Sequence, residues 1–458
     1  MEAILPRVKN IYLVGIGGIG MTALAILLKE RGYAVGGSDT AENTNVKLLR
    51  QEGISVDIGH CRSHITENID LVSYSSAVGD DNPELAYARD KGVTTIKRGA
   101  LLGLLAKGKK TIAVAGSHGK TTTSSLIGYL LTSLGKQPTV CVGGMPLNYQ
   151  RNAWWGEGFF VTETDESDAS FLYIEPTISI ITNIDYEHLD HYKTIEELRK
   201  SFLQFAKQTS QLVIGCGDDP FVGDILKVTD GLSYGFGAQN SWRADNIRYD
   251  GTFTCFDLLL EGSRREIKIP LLGAHNVLNT LSVIALFSYL GEDLDRVIEL
   301  LKDFKGTKRR FQIKKRSLGV TFVDDYAHHP TEIAAVLHAA RYLNPRRLFV
   351  VFQPHRFSRV QNLYREFARS FNQADEIVIT DIYSASEQKI EGIDGAFMLS
   401  EIKKDFKGKA TYIPKESLIG GVSSLLNEGD LVLGLGAGDI NSVMERIIDE
   451  FEKARSKT

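Results

Sequence analysis

Residues 111–123 read TIAVAGSHGKTTT. The short run 111–115, rich in β-branched residues, predicts a buried strand. A turn bounded by Gly116 and Gly119 follows, holding Ser117 and His118, and Lys120, Thr121, Thr122 and Thr123 lead into an apolar-periodic helix near 124–134. Strand, glycine turn, lysine, hydroxyl and helix is the layout of a phosphate-binding loop. Glycines let backbone N–H groups converge on phosphate oxygens, and a helix N-terminus adds a favourable field. Lys120 supplies a point charge, and the Thr121 hydroxyl can ligate Mg²⁺. Only Ser117 and His118 separate the two glycines, a shorter spacing than the general pattern has, and this points to a narrower family. An ordinary strand–helix turn gives no packing reason for a lysine followed by a run of threonines at a helix start.

Working outward, the chain has 458 residues, which suggests about three domains. At 43% hydrophobic and 24% charged it has ordinary globular composition. A formal net charge of −4 argues against a general nucleic-acid binder. Cys61, Cys141, Cys216 and Cys255 form no CxxC pair and are spread along the chain. They read as thiols of a reducing compartment, neither a disulfide frame nor a zinc site. No signal peptide is visible, and no apolar run approaches the ~18 residues of a membrane span. The expectation is a cytoplasmic protein with no membrane or nucleic-acid partner, as a monomer or homodimer.

Towards the N-terminus, a strand at 11–14 runs directly into Gly15-Ile16-Gly17-Gly18-Ile19-Gly20. A helix at 21–31 and a strand at 33–37 follow, then Ser38 and Asp39, the latter about 20 residues beyond the last glycine. This is a full dinucleotide-fold context. From these residues alone, the turn could hold NAD or the pyrophosphate of another nucleotide. The βα alternation continues with strands at 54–58 and 70–75, and Ser75 and Ser76 fall at a strand's C-terminal end, where open α/β sheets bind ligands. Asp81-Asn82-Pro83-Glu84 reads as a helix start. Residues 106–110, AKGKK, are a polar link before the phosphate loop.

Beyond that loop, an apolar run at 159–163 ends in Glu163, Asp165, Glu166 and Asp168. A second, at 178–182, ends in NIDYEHLDH, which contains His188. Carboxylates at strand ends near a phosphate loop suit Mg²⁺, a hard cation that prefers oxygen ligands. A lone loop histidine such as His188 is more often a structural hydrogen-bonding group than a ligand. Residues 251–270 alternate in two runs around Glu261-Gly262-Ser263, a hairpin signal. Asn276 and Asn279 then share one face near the start of a helix. They could read a base edge or cap the helix.

The last third opens with Lys308-Arg309-Arg310-Phe311, either a solvated face or a guanidinium for a γ-phosphate. A strand at 320–323 ends in DDYAHHP, residues 324–330, and another at 348–352 ends in QPHRFSR, residues 353–359. Strands alternating with helices predict a further small doubly wound domain. Arg356 and Arg359 fit a carboxylate-bearing ligand or surface salt bridging.

Taken together these residues resemble the Mur ligases, the ATP-dependent amide-forming enzymes of peptidoglycan precursor synthesis. GSHGKTTT, ETDESD, TNIDYEHLDHY, HNVLN, RRFQ, DDYAHHPTE and QPHRFSR match that family in the same order. With GIGGIGM at the start they are most similar to members that join L-alanine to UDP-N-acetylmuramate. The resemblance implies an α/β chain of three domains. These are a Rossmann-like UDP-sugar-binding domain (1–107), a central P-loop-type ATPase domain with a small antiparallel β element (108–308), and a C-terminal Rossmann-like domain (309–458) carrying the amino-acid site. It implies a UDP-sugar rather than NAD at Gly15, Gly17, Gly18 and Gly20, with Ser38, Asp39, Ser75 and Ser76.

The same resemblance implies ATP at Gly116, Ser117, His118, Gly119, Lys120, Thr121 and Thr122, with Asn276 and Asn279 on the adenosine. Arg310 and Asp325 would reach the nucleotide across a domain junction. Thr121 and Glu163 would serve one Mg²⁺, and His188 with Glu163 a second. The L-alanine carboxylate falls to His355, Arg356 and Arg359, with Tyr326 and His328 nearby. Lys120, Glu163, His188, Arg310 and Asp325 form the implied catalytic set. A ligase that recycles a whole murein tripeptide shares most motifs but should differ at QPHRFSR. An NAD-dependent dehydrogenase would leave the phosphate loop, Glu163 and His188 unexplained, and a non-enzymatic nucleotide-binding regulator would leave the complete catalytic set unexplained.

Overall fold

A computed structural model describes residues 5–185, 192–260, 262–385 and 387–456. Packing divides the chain into two compact units. The first holds Met1–Asp245, Asp257–Ile267 and Leu278–Lys305; the second holds Asn246–Phe256, Lys268–Val277 and Gly306–Thr458.

In the first unit an all-parallel sheet contains β1 (Asn10–Val14), β2 (Ala34–Asp39), β3 (Ser55–Ile58), β4 (Leu71–Tyr74) and β5 (Thr94–Lys97), in the order β3-β2-β1-β4-β5. The reversal of order beside β1 opens a crevice at the strands' C-terminal ends. Into it runs the glycine turn, followed by α1 (Ile19–Glu30). Every residue from Met21 to Leu28 of this helix is buried, as an apolar surface all round the helix requires. One face meets its own sheet and α2 (Thr44–Gln51); another meets strands of the central sheet. Helices α3 (Pro83–Asp90) and α4 (Arg98–Ala106) complete this layer. One continuous apolar cluster runs from Leu5 to Leu226. The first two expected domains therefore pack as one unit.

The central sheet is built on β6 (Thr111–Ala115), buried at every position. It also contains β7 (Thr139–Cys141), β8 (Ala153–Trp154), β9 (Phe160–Glu163), β10 (Ile178–Ile181), β11 (Leu212–Cys216) and β12 (Leu232–Gly235). The hairpin strands β13 (Trp242–Asp250), β14 (Phe253–Leu260) and β15 (Ser263–Ile269) follow, each with residues in both units. The order is β15-β14-β13-β12-β11-β10-β6-β9-β7-β8. β6 lies between β9 and β10, so the strand ends carrying Glu163 and Thr182 flank the phosphate loop. Helix α5 (Lys120–Ser133) leaves that loop, α6 (Ile195–Lys207) packs on α7 (Pro220–Thr229), and α7 covers β11 and β12. Helix α8 (Ala274–Tyr289) begins in the second unit's residues and ends in the first's, and α9 (Leu294–Leu301) packs on α5.

A third sheet lies in the second unit: β16 (Gln312–Ser317), β17 (Val320–Asp325), β18 (Arg347–Phe352), β19 (Glu376–Ile379), β20 (Lys409–Tyr412) and β21 (Asp430–Leu435), in the order β16-β17-β21-β18-β19-β20. Only the edge strand β16 runs antiparallel. Helices α10 (Pro330–Arg341) and α11 (Phe357–Ser370) follow β17 and β18 directly. Their N-termini and the strand ends thus share one edge, where doubly wound sheets bind ligands.

Candidate active site

The phosphate loop turns on Gly116 (φ 128°) and Gly119 (φ 85°), conformations that favour glycine. A Cβ at Gly116 would lie 2.0 Å from Thr182 Oγ1, and one at Gly119 2.4 Å from Asn279 Oδ1. The strand end beside the loop clamps it. The N–H groups of Ser117 and His118 donate to the Asn183 carbonyl (3.0 Å) and Oδ1 (2.9 Å), and Thr182 Oγ1 donates to the His118 carbonyl (2.6 Å). No side chain caps α5, which leaves its positive end to an anion.

Lys120 Nζ lies across this cradle, donating to the carbonyls of Gly116 and Ser117 and, at 2.8 Å, to Glu166. Burial alone would lower the lysine's pKa. The carboxylates of Glu166, Asp165 and Glu163 outweigh it and hold the pKa above the ordinary value, so the ammonium stays charged.

The carboxylates of the acidic segment meet different partners. Glu166, 1% exposed, pairs with Lys120. Asp165 pairs with Arg98 at 2.9 Å and accepts from Ser167. Burial raises the Asp165 pKa, but Arg98, Ser167 and Lys120 bring it below the usual range. Asp168 accepts from the Ser170 N–H. Glu163 differs: it ends β9 opposite Val114, and a Cβ on Gly143 would lie 1.6 Å from its Oε1. Glycine at 143 leaves the space that this carboxylate fills. Thr121 and Glu163 are hard oxygen donors beside the loop, a set that fits Mg²⁺. His188 lies in 186–191, outside the described residues.

In the first sheet the N–H groups of Gly15 and Ile16 donate to the Ser38 carbonyl (2.8 and 3.0 Å), and that of Gly17 donates to Asp39 Oδ2 (2.8 Å). Asn45 Nδ2 donates to the Gly17 carbonyl (2.9 Å). Gly18 opens α1 without a side-chain cap. Ser38 itself is fully buried. Ser75 backs Gly15, its Cβ 3.1 Å from where a Gly15 Cβ would be, and Ser76 is exposed in the following turn. Beside Gly20 stands Arg98, Nη1 3.2 Å from a Cβ built there. Arg98 thus lies between the glycine turn and Asp165, a role the sequence reading missed. Its only signal was a cation just past a strand's C-terminal end.

Asn276 and Asn279 are both in the first turns of α8. Asn276 Nδ2 donates to the Leu272 carbonyl at 2.8 Å, a local bond at the helix start.

Within the second unit, Tyr326, His328 and His355 gather at the ends of β17 and β18. The His328 ring stands 5.1 Å from that of Tyr326 and 5.6 Å from that of His355. His355 Nδ1 and Arg359 Nη1 are 3.2 Å apart. Burial, with Arg359 and Arg356 adding to it, pushes the His355 pKa down to about 3. It can therefore accept the guanidinium's hydrogen bond as a neutral ring. Burial also depresses His328, despite Glu332. Arg356 caps α11 at φ 69° and is exposed.

Asp325 is almost wholly buried and accepts from the N–H groups of Phe311 and Ala327 (2.6 and 2.7 Å); burial raises its pKa to about 6. Arg310 lies 3.8 Å from Glu332 and, like Arg309, over the Tyr326 ring. Tyr383, also missed, stacks on His355 at 5.6 Å and 9°. It follows β19, so its position after a strand end was the available signal.

Three family models match in succession: "Mur ligase family, catalytic domain" over residues 10–110, "Mur ligase middle domain" over 114–287 and "Mur ligase, glutamate ligase domain" over 309–438. A UDP-N-acetylmuramate–L-alanine ligase of Geotalea daltonii is 41% identical, covering 98% of this chain and 99% of its own. The solved UDP-N-acetylmuramate–alanine ligase of Thermotoga maritima superposes with a TM-score of 0.85 at 31% identity, over 98% of this chain and 100% of its own. A murein peptide ligase of Psychrobacter arcticus shares the fold, with a TM-score of 0.72 at 22% identity over 97% of this chain and 98% of its own. With these matches running the length of the chain, and with its phosphate loop as described, the protein belongs to the Mur ligase family.

Proposed function

We propose that the chain is the ATP-dependent ligase that joins L-alanine to the carboxylate of UDP-N-acetylmuramate, yielding UDP-N-acetylmuramoyl-L-alanine, ADP and phosphate. It acts in peptidoglycan precursor synthesis. The observation that carries this reading is the full-length likeness to alanine-adding relatives, 41% identical over 98% of the chain.

A carboxylate is a poor electrophile because direct amine attack would have to expel oxide. A carboxylate oxygen of the sugar therefore attacks the γ-phosphorus of ATP, ADP departs, and an acyl phosphate forms. The alanine ammonium loses a proton to water, the free amine attacks the acyl carbon, and the tetrahedral intermediate expels phosphate, which takes the second nitrogen proton. Both steps depend on positioning and charge stabilisation. Lys120 carries its charge to the β/γ-phosphates, exchanging Glu166 for phosphate oxygens. Thr121 and Glu163 would hold Mg²⁺, which when bound would neutralise phosphate charge, and we assign His188, with Glu163, to a second ion. Asn276 and Asn279 take the adenosine, and Arg310 and Asp325 act on the nucleotide once the domains close.

Arg356 and Arg359 grip the alanine carboxylate. His328 and His355, being neutral, put no positive charge against the alanine ammonium. The UDP-sugar lies on Gly15, Gly17, Gly18 and Gly20, with Asp39, Ser75 and Ser76. We place the protein in the cytoplasm as a monomer or homodimer; no described helix is long and apolar enough to cross a membrane.

The test is phosphate release with UDP-N-acetylmuramate, ATP and either L-alanine or the murein tripeptide, in the wild type and in Arg359→Lys. Turnover with L-alanine is expected in the wild type. Lysine cannot reproduce the guanidinium fork, so in Arg359→Lys the KM for L-alanine should rise about ten- to a hundredfold. Preference for the tripeptide would overturn the reading, and equal rises in KM for all three substrates would make Arg359 structural.

A further inference from the structure

Glu84 is fully buried in the first turn of α3, and none of the chemistry above uses it. Asn82 Oδ1 accepts from the N–H groups of Glu84 (2.9 Å) and Leu85 (3.2 Å), and Pro83 fills the helix's first position. The backbone of Glu84 is therefore fixed. Its carboxylate accepts from side chains on separate segments of the first sheet. Ser38 Oγ donates at 2.6 Å from the end of β2, and Tyr12 OH at 3.4 Å from β1. His60 Nδ1 and His64 Nδ1, both after β3, lie at 2.9 and 2.7 Å. Both Nδ1 atoms face the carboxylate, the geometry in which an Nδ1–H donates to it. Removing a carboxylate from water is costly unless donors replace the water. Here they do, and every donor is thereby fixed in place.

Ser38 matters most among them. Its hydroxyl is held by Glu84 while its carbonyl accepts from Gly15 and Ile16, and the next residue, Asp39, accepts from Gly17. The end of β2 is thus the bracket from which the whole glycine turn hangs.

We propose that Glu84 is a positioning residue for the UDP-sugar: by anchoring Ser38 from inside the sheet it sets where the glycine turn holds the uncapped start of α1 towards the pyrophosphate. This rests on reading that turn as the UDP-sugar site. A carboxylate serving only to fill space would, when replaced, disturb every substrate alike. Glu84 should instead affect one.

Initial rates on the full chain, with each substrate varied in turn, test this. In Glu84→Gln, which keeps the shape, the KM for UDP-N-acetylmuramate should rise about tenfold. The turnover number and the KM values for ATP and L-alanine should stay within about twofold of the wild type. Ser38→Ala, which keeps the backbone carbonyl but releases the anchor, should raise the same KM by about threefold, and it decides the matter if Glu84→Gln does not fold. Gly17→Ala supplies the control for the site itself, since a Cβ there would lie 2.8 Å from Asp39 Oδ2. If Gly17→Ala leaves the UDP-sugar KM unchanged, the turn is not the site and the underlying reading fails. If Gly17→Ala raises it while Glu84→Gln and Ser38→Ala do not, only the present inference fails. Equal rises for all substrates in Glu84→Gln and Ser38→Ala would also overturn it, by showing a merely structural role.

Discussion

The first unit contains two glycine turns between a parallel strand and a helix, and they are anchored in opposite ways. The turn after β1 carries no charged side chain of its own. Its N–H groups are held by backbone and carboxylate acceptors at the end of β2, and Glu84 fixes that strand end from within. In the turn after β6 the chain carries its own cation, Lys120, and a buried carboxylate, Glu166, holds that cation in readiness. A turn that only has to grip a pyrophosphate can rely on backbone dipoles. One that must stabilise charge moving between phosphate oxygens needs a full charge in a site of low dielectric. On the proposed reading the same local geometry serves binding in one place and chemistry in the other, and the difference lies in what stands behind each turn.

Lys120→Ala should break this comparison most severely. Turnover is expected to fall by about a thousandfold while calorimetry still records UDP-sugar binding. Loss of both in a folded variant would mean the two turns are not independent. Gly17→Ala is the converse experiment: UDP-sugar affinity should fall by about ten- to a hundredfold, with ADP affinity retained in the same titrations.

Arg98→Gln should have the smallest effect and sharpen the contrast, because Arg98 stands between Gly20 of the first turn and Asp165, which follows the strand beside the second. Both nucleotide KM values are expected to rise, each by less than about fivefold. The same variant has a pH signature. The folded Asp165 pKa lies below the ordinary value of 3.8, since Arg98, Ser167 and Lys120 outweigh burial. The stability it contributes is present above that unfolded value and is lost as pH falls through the folded one. Melting temperatures measured from pH 6 down to pH 3 should therefore drop less steeply in Arg98→Gln than in the wild type. Parallel curves would show that Arg98 does not support Asp165.

Much of this site was legible because its signals are local. Gly116 and Gly119 at positive φ, a lysine at the first position of α5 and acids at the end of β9 all lie within single strand–turn–helix segments. The hairpin around residue 262 and the helix start at Asn82-Pro83 were legible for the same reason. Glu84 was not. In sequence it is an unremarkable first-turn acid favoured by the helix dipole, and only folding surrounds it with Ser38, His60, His64 and Tyr12. Arg98 and Tyr383 escaped likewise, since each acts on a partner that the sequence does not adjoin. Spacing likewise could not tell which side chain each carboxylate of 163–168 would meet, Lys120 for Glu166 and Arg98 for Asp165.

The sequence by itself determined the βα alternation and both glycine turns, which follow from backbone conformational limits and hydrophobic periodicity over a few residues, and its ordered motifs pointed to the family. Only the tertiary structure decided the pairings: Asp165 with Arg98, 67 positions away, Lys120 with Glu166, 46 away, and Ser38 with Glu84, also 46 away. Electrostatic energy depends on distance in space and on exclusion of water. Neither quantity exists until the sheets have assembled and buried these groups together.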